Sequence, residues 1–307
     1  MWLNTLLTSA EQGLVFGIMA LGVYITFKIL KFADLTVDGS FPLGAAVAAS
    51  LIVSGQNPFL ATAVAFAAGG GAGIFTGLLN TKAKISDLLA GILTMTSLYS
   101  INLRIMGKPN IPLLNQPTIF TFVQDLIKSM IPGFPLKYMF IIIFIITALA
   151  VKILLDIFLK TQMGFSLRAT GDNPQMIRSQ GVNTDIAKIT GLCLSNAIIA
   201  TAGALVAQYQ GFADVGMGIG TVVAGLASVI IGDALIGERS IFFSTLSALF
   251  GSFLYRLSIS LVLSFRLAQA SDLKLLTALV VIAALTLPQF KKTLKINFGR
   301  GASDAQN

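Results

Sequence analysis

Long apolar segments recur along the whole chain, separated by short polar stretches. Most are near 20 residues, the length at which a helix crosses ~30 Å of hydrocarbon. The alternating ten-residue segments of a membrane β-barrel are absent. The pattern predicts an all-α membrane protein with about nine transmembrane helices, in the range 8–10 because the second block is short and the seventh is rich in glycine. The blocks lie at 11–30, 41–54, 58–80, 86–106, 139–159, 187–208, 219–236, 241–263 and 272–290.

Composition supports this class. Hydrophobic residues make up 55% of the 307 positions and charged residues 11%, whereas a soluble domain carries about 25% charged residues. The net charge of +8 is spread over short loops, which is a topology signal and gives no stripe for nucleic acid. The chain has no histidine and one cysteine, Cys193, so a disulfide framework or cysteine metal cluster is excluded. We expect no metal and no cofactor in this chain.

The basic residues predict an orientation. Segments 28–40, 81–85, 160–188 and 237–240, with the tail after residue 290, contain 13 of the 21 lysines and arginines. Cytoplasmic loops carry such an excess. The N-terminus is therefore expected outside and the C-terminus inside.

The blocks indicate one membrane domain, residues 1–290, followed by a basic and polar cytoplasmic tail, residues 291–307. Two segments inside the domain are not spans: the polar loop 160–188 and the outer segment 117–131. The outer segment has apolar residues at helical spacing, which predicts an amphipathic helix in the membrane interface. It either caps the bundle or gates a pathway. The apolar positions are Ile119, Phe122, Val123, Leu126 and Met130.

Catalytic motifs are missing. The sequence contains no GxxxxGK[ST] phosphate loop, no HExxH and no GxSxG. Asp34 and Asp38 lie in one loop, whereas an intramembrane aspartic protease needs two aspartates that face each other from two spans. We therefore expect no enzymatic activity in this chain.

The densest polar cluster near the membrane is "FADLTVDGSFPLGAA", residues 32–46. Ser40 is expected to N-cap the next helix, with Pro42 in its first turn. A carboxylate in the bilayer centre costs ~2.5–3.5 kcal/mol, so the two aspartates must face protein or water. They either cap helix ends and hold a re-entrant turn, or line a solute pathway. Asn196, in a later span, either forms hydrogen bonds between helices or is part of that pathway. The candidate pathway residues are Asp34, Thr36, Asp38, Ser40, Phe41 and Asn196.

The loop 160–188 contains "RATGDNPQMIRSQG", which begins at residue 168. Asn173 is a suitable N-cap, Pro174 fits the first helical position and Gly181 fits a stop. Such a helix of about two turns is unstable alone in water. Met176 and Ile177 are expected to be exposed on it, so it either packs on its own bundle or inserts into a groove of another protein.

These motifs resemble those of permease subunits of bacterial ATP-binding-cassette (ABC) importers, in the branched-chain amino acid and ribose permease superfamily. The resemblance covers roughly residues 10–290. It is carried by "ADLTVDGSFPLGAAVAA", by "GFSLRATGDNPQMIRSQGVN" and by "VVAGLASVIIGDALIG". The first motif looks most like that of tryptophan/tyrosine uptake permeases, and it departs from the ribose type in having Asp38 where those members have glycine.

The resemblance implies a type II importer permease in the bacterial inner membrane, with a short cytoplasmic coupling helix. It implies that cytoplasmic ATPase subunits bind ATP and Mg, that a second permease copy or a paralogue completes the pathway, and that an extracytoplasmic solute-binding protein delivers the solute. Membrane lipid surrounds the spans, and no nucleic acid is involved. The residues implied in ATPase coupling are Asp172, Asn173, Pro174, Gln175, Met176, Ile177, Arg178 and Gly181.

The resemblance favours an aromatic or branched-chain amino acid as the solute. A nucleoside or sugar is the alternative within the same class. A secondary transporter that works without ATP is an alternative class, and it predicts charged residues deep in several spans together with inverted repeats. Arg256, Lys152 and Asp156 are the deep charges of this sequence.

Overall fold

The computed structural model describes residues 2–130, 138–237 and 240–264, together with residues 275, 277–279, 281, 282 and 286. The described elements are almost all helical, with one short strand pair. Their bounds are α1 Trp2–Val23, α2 Val37–Val53, α3 Pro58–Thr81, α4 Asp87–Met106, β1 Asn110–Pro112, α5 Ile119–Met130, α6 Met139–Lys160, α7 Gln162–Asp172, α8 Pro174–Ser179, α9 Thr184–Gln210, β2 Phe212–Asp214, α10 Thr221–Ile236 and α11 Ile241–Ser264.

Seven of the described helical segments are long and apolar enough to cross a membrane. They involve α1, α3, α4, α6, α9, α10 and α11, and α2 is a shorter apolar helix of 17 residues. These eight elements coincide with the first eight apolar blocks, which confirms the all-α membrane class. The ninth block, 272–290, falls largely outside the described residues, and the tail 291–307 lies wholly outside them. The count of nine spans therefore stays a prediction.

Helix α9 lies at the centre of the bundle, where it packs against α1, α2 and α3. Its most apolar window is 72% buried, whereas that of the peripheral α4 is 28% buried. Close approach depends on glycine: a Cβ at Gly73 would lie 2.1 Å from the carbonyl oxygen of Leu192 in α9. The small residues in α3 and α9 thus let the two backbones touch.

The chain between α1 and α2 is irregular. A π-helical turn, Tyr24–Ile29, ends the first span, and the backbone stays non-helical until Val37. Helix α2 therefore starts before Ser40, and Pro42 lies inside it. The prediction that Ser40 is the N-cap was wrong, because the Thr36 carbonyl already accepts the Gly39 and Ser40 amides.

Pro42 also changes the backbone hydrogen bonding of α2. A proline lacks the N–H that would bond the carbonyl four residues earlier, which here belongs to Asp38. Gly218 packs directly on that carbonyl: a Cβ at Gly218 would lie 2.1 Å from its oxygen. Gly218 belongs to a 3₁₀ turn, Val215–Gly218, just before α10. The turn before α10 thus packs against the start of α2.

Two features cover one end of the bundle. Strands β1 and β2 pair antiparallel, Asn110 with Asp214, which the sequence did not predict. Helix α5 lies within the predicted amphipathic segment 117–131. Its Phe120 packs against Phe144 and Tyr209, while Phe122 is exposed. Whether α5 caps or gates the bundle stays open.

Candidate functional site

A fully buried hydrogen-bond network joins the irregular loop, α2 and α9. The Asp34 carboxylate accepts from the Thr36 amide at 2.9 Å and from Asn196 Nδ2 at 2.9 Å. Ser40 Oγ donates to Asn196 Oδ1 at 2.7 Å. All four residues have 0% exposure. In this structure the network ties the loop and α2 to α9, and its part in translocation stays a prediction.

The ionisation of Asp34 is affected by this burial. Removal from water raises the pKa of the Asp34 carboxyl, and the hydrogen bonds from Thr36 and Asn196 oppose that rise. Both oxygens of the Asp34 carboxyl have hydrogen-bond partners, as a buried polar group requires. It forms a local turn with the Thr36 amide and is not the N-cap of a helix.

A row of three buried threonines extends the network. Thr36 Oγ1 lies 2.8 Å from Thr76 Oγ1, and Thr76 Oγ1 donates to Thr94 Oγ1 at 3.0 Å. Sequence analysis named Thr36 and missed the other two. Threonines inside apolar blocks were the available signal, because a buried hydroxyl needs a partner.

Asp38 has a different role. Its carboxylate accepts from Thr221 Oγ1 at 2.8 Å and from the amides of Val222 at 2.8 Å and Gly220 at 3.1 Å. These groups form the first turn of α10, where amides lack intrahelical acceptors and the helix dipole favours an anion. Asp38 therefore caps α10 from across the molecule. Of the two interpretations, capping describes its contacts in this structure.

Phe41, the remaining predicted pathway residue, lies in the core. It is 1% exposed and stacks on Phe16 with ring centroids 5.7 Å apart. Gly203 of α9 packs on its backbone carbonyl, where a Cβ would come within 1.9 Å. The immediate role of Phe41 is packing between α2, α1 and α9.

The polar loop folds as its capping residues predict. Asn173 Oδ1 accepts from the Met176 amide at 3.0 Å, Pro174 begins α8, and Gly181 has φ +84°. The Met176 side chain is 55% exposed, as expected. Ile177 is only partly exposed, which differs from the expectation, and α8 is in contact with both α7 and α9.

Ionic contacts lie on both sides of α8 along the chain. Asp172 pairs with Lys31 at 3.0 Å, and Arg178 donates to Thr184 Oγ1 at 2.6 Å and to Asp185 at 3.2 Å. Exposed ion pairs such as these contribute little stability. Asp172 belongs to α7, so only the Arg178 contacts involve α8 itself.

The family follows from the sequence as a whole. Residues 5–285 match the family described as the permease component of branched-chain amino acid transport systems. The chain belongs to this family. It is the permease subunit of an ABC importer, a multi-pass protein of the bacterial inner membrane.

Curated relatives of the permease are named for different solutes. The tyrosine transport system permease protein of Clostridioides difficile (strain R20291) is 45% identical over 293 residues, with 95% of this chain and 94% of that protein covered. The ribose import permease protein RbsC of Escherichia coli (strain K12) is 28% identical, with 75% and 69% covered.

A solved structure has a similar fold. The structure named "PsaBC from Streptococcus pneumoniae in complex with Fab" aligns with a TM-score of 0.50 and 18% identity, covering 92% of the permease and 90% of that chain. At this identity the likeness concerns the fold alone.

Beside α8 the permease has a cationic groove of about 740 Å³, lined by Lys84, Arg178 and Lys188 with Asp185 at its side. Lys188 Nζ donates to Asn80 Oδ1 at 3.2 Å, and Arg178 is held by Asp185. Lys84 has φ +56°, a conformation that L-residues rarely adopt. Three cations around one groove favour an acidic surface opposite it.

Two of the deep charges of the permease are paired with each other. Lys152 and Asp156 of α6 form a buried ion pair, Thr245 Oγ1 donates to Asp156, and Lys152 lies over the Phe242 ring. The pair joins α6 to α11 within the bundle. In the described part of the chain no group of three or more histidine, cysteine, aspartate or glutamate residues could hold a metal ion.

Proposed function

We propose that the permease imports an aromatic amino acid, and that its substrate resembles tyrosine. The observation that carries this proposal is 45% identity over 95% of the chain to a permease named for tyrosine transport. The sequence also favours an amino acid over a sugar, because ribose-type motifs have glycine at the position of Asp38. A sugar is the second candidate, supported by the 28% identity to ribose permeases.

Several partners belong to the proposal. Cytoplasmic ATPase subunits supply ATP and Mg, a second copy of the permease completes the pathway, and a solute-binding protein delivers the amino acid outside. The expected arrangement has nine spans, an outer N-terminus and a cytoplasmic tail. The ion pair between Lys28 and Asp233 at 2.9 Å joins the ends of the first span and of α10, and it fits a common cytoplasmic face.

Helix α8 is the proposed ATPase contact. It is short and N-capped by Asn173, its Arg178 pairs with Asp185, and its Met176 is 55% exposed. An exposed apolar side chain on a polar loop is stabilised when a partner groove covers it. The cationic groove next to α8 favours an acidic rim on that partner.

Transport in proteoliposomes tests the substrate. The permease is reconstituted with its ATPase and solute-binding protein, and ATP-dependent uptake of labelled tyrosine, leucine and ribose is compared. We expect uptake of tyrosine above the other two. Uptake of ribose with no uptake of tyrosine would overturn the proposal and favour import of a sugar.

A charge at the tip of α8 tests the coupling contact. Met176→Asp is preferred to a double change with Ile177, because Ile177 also packs on its own chain. Burying a methionine contributes ~1.5–3 kcal/mol, so its replacement should weaken ATPase association by at least tenfold in a pull-down. Met163→Asp on α7 is the matched control, since Met163 is 51% exposed. Equal association of both variants would contradict the assignment.

A further inference from the structure

A cavity of about 300 Å³ lies where α2, α4 and the turn before α10 meet. Pro42, Met95, Val215 and Ile219 give it apolar walls, and the Tyr99 ring stands at its side. Its volume is at the lower end for small-ligand cavities, which are mostly apolar with a few placed polar groups. A cavity of this volume with apolar walls can accept one aromatic ring.

Two of the polar groups around the cavity are already satisfied. The Asp38 carboxylate receives three donors from the first turn of α10. The Thr96 hydroxyl donates back to the Ile92 and Leu93 carbonyls of its own helix. Neither group needs a further hydrogen-bond partner.

Asn102 is different. It is 0% exposed and lines the cavity, and its Nδ2 donates to the Gly39 carbonyl at 3.2 Å. This contact fixes the amide orientation, because a flipped amide would set two acceptor oxygens against each other. Asn102 Oδ1 then remains without a hydrogen-bond partner among the described residues. This oxygen is covered in the structure, so a donor reaches it only after a side chain of the cavity wall moves, and the acceptor is then stabilised by that donor.

We propose that this cavity receives the ring of a hydroxylated aromatic amino acid, and that Asn102 Oδ1 accepts the phenolic hydroxyl. The inference rests on the proposed import of an aromatic amino acid and adds the residue that distinguishes tyrosine from phenylalanine. The free polar atom is an acceptor, so it selects an O–H or N–H donor. The phenolic end of the solute fits better than the zwitterionic end, because the ammonium and the carboxylate would both have to leave water and enter apolar walls.

Selection follows from the unpaired acceptor. A site that hydrogen-bonds a substrate hydroxyl discriminates against the analogue that lacks it, because the buried acceptor is then left unpaired. Phenylalanine would fill the same walls and leave Asn102 Oδ1 unsatisfied. Asn102 is therefore a specificity-determining residue, and Asp38 serves mainly to hold α10 against the cavity.

The test uses the reconstituted transporter with its ATPase and solute-binding protein, and measures uptake of L-tyrosine and L-phenylalanine in competition. Asn102→Leu is expected to lower the tyrosine-to-phenylalanine uptake ratio about tenfold relative to wild type. The binding protein is the same in every reaction, so a change in the ratio belongs to the permease.

A second variant keeps the test valid if Asn102→Leu does not fold. Thr96 is exposed and lines the cavity, so Thr96→Phe fills the cavity from the surface of α4. Ser100, one turn further along α4, is exposed and is not part of the lining, which makes Ser100→Phe the matched control. We expect Thr96→Phe to lower tyrosine uptake at least fivefold more than Ser100→Phe.

The outcomes separate the two proposals. Wild-type uptake of ribose without tyrosine removes the proposed function and this inference with it. Wild-type uptake of tyrosine with an unchanged ratio in folded Asn102→Leu overturns the inference alone. Equal uptake by Thr96→Phe and Ser100→Phe also overturns it, because the cavity then holds only water.

Discussion

Replacement of Asp38 should destabilise the permease, because its carboxylate caps α10 from another helix. Asp38→Ala removes the acceptor for the amides of Gly220 and Val222 and for the Thr221 hydroxyl. An unsatisfied buried donor costs ~1–3 kcal/mol. The Gly220 amide is exposed and the Thr221 hydroxyl also donates to the Gly218 carbonyl, so only the buried Val222 amide is left without an acceptor. A hydrogen bond to a charged group contributes ~1.5–3 kcal/mol, so the expected loss is about 2 kcal/mol.

Two further variants grade this effect. Asp38→Asn keeps one acceptor oxygen and loses the charge and one hydrogen bond, so about 1–2 kcal/mol is expected. Thr221→Val removes a single neighbouring donor and should cost about 0.5–1.5 kcal/mol. The expected order of stability is wild type, then Thr221→Val and Asp38→Asn, then Asp38→Ala.

The assay is thermal unfolding of the detergent-purified protein, followed by the fraction that remains monodisperse after heating. Asp125→Ala is the control, because Asp125 is exposed on α5. If Asp38→Ala unfolds at the temperature of the control, Asp38 contributes no capping. A stable Asp38→Ala protein that has lost transport would instead favour a direct contact with the solute.

Three other predictions concern packing and charge. Asn196→Leu leaves the Asp34 carboxylate and the Ser40 hydroxyl short of a partner and should lower the yield of folded protein, whereas Thr201→Val should not, since the Thr201 hydroxyl bonds only its own helix. Gly73→Ala should lower the melting temperature and Gly71→Ala should not, because a Cβ clashes only at Gly73. ATPase binding measured by pull-down should weaken as salt rises, because salt screens the cationic groove; binding independent of salt would contradict that role.

Local chemistry made α8 predictable from sequence. Asn173, Pro174 and Gly181 determine the start and end of a helix through contacts within a few residues. The apolar blocks predicted the spans for a similar reason, since each block alone must cover the hydrocarbon thickness. The partial burial of Ile177 was not predictable, because it depends on the distance between α8 and α9, which no local pattern determines.

The contacts of Asp38 could not be predicted from the sequence. Its partners are 182 to 184 residues away, and nothing local to Asp38 indicates them. Ser40 and Pro42 suggested a helix start by their types, but the Thr36 carbonyl had already begun the helix. A proline that lies inside the helix then leaves the Asp38 carbonyl without its usual amide, and Gly218 accommodates that carbonyl. Asn102 bonds the next carbonyl, that of Gly39, and its own Oδ1 is left without a partner. The start of α2, the start of α10 and the buried amide of α4 meet at one place only once the helices are packed, so no local pattern could predict this site.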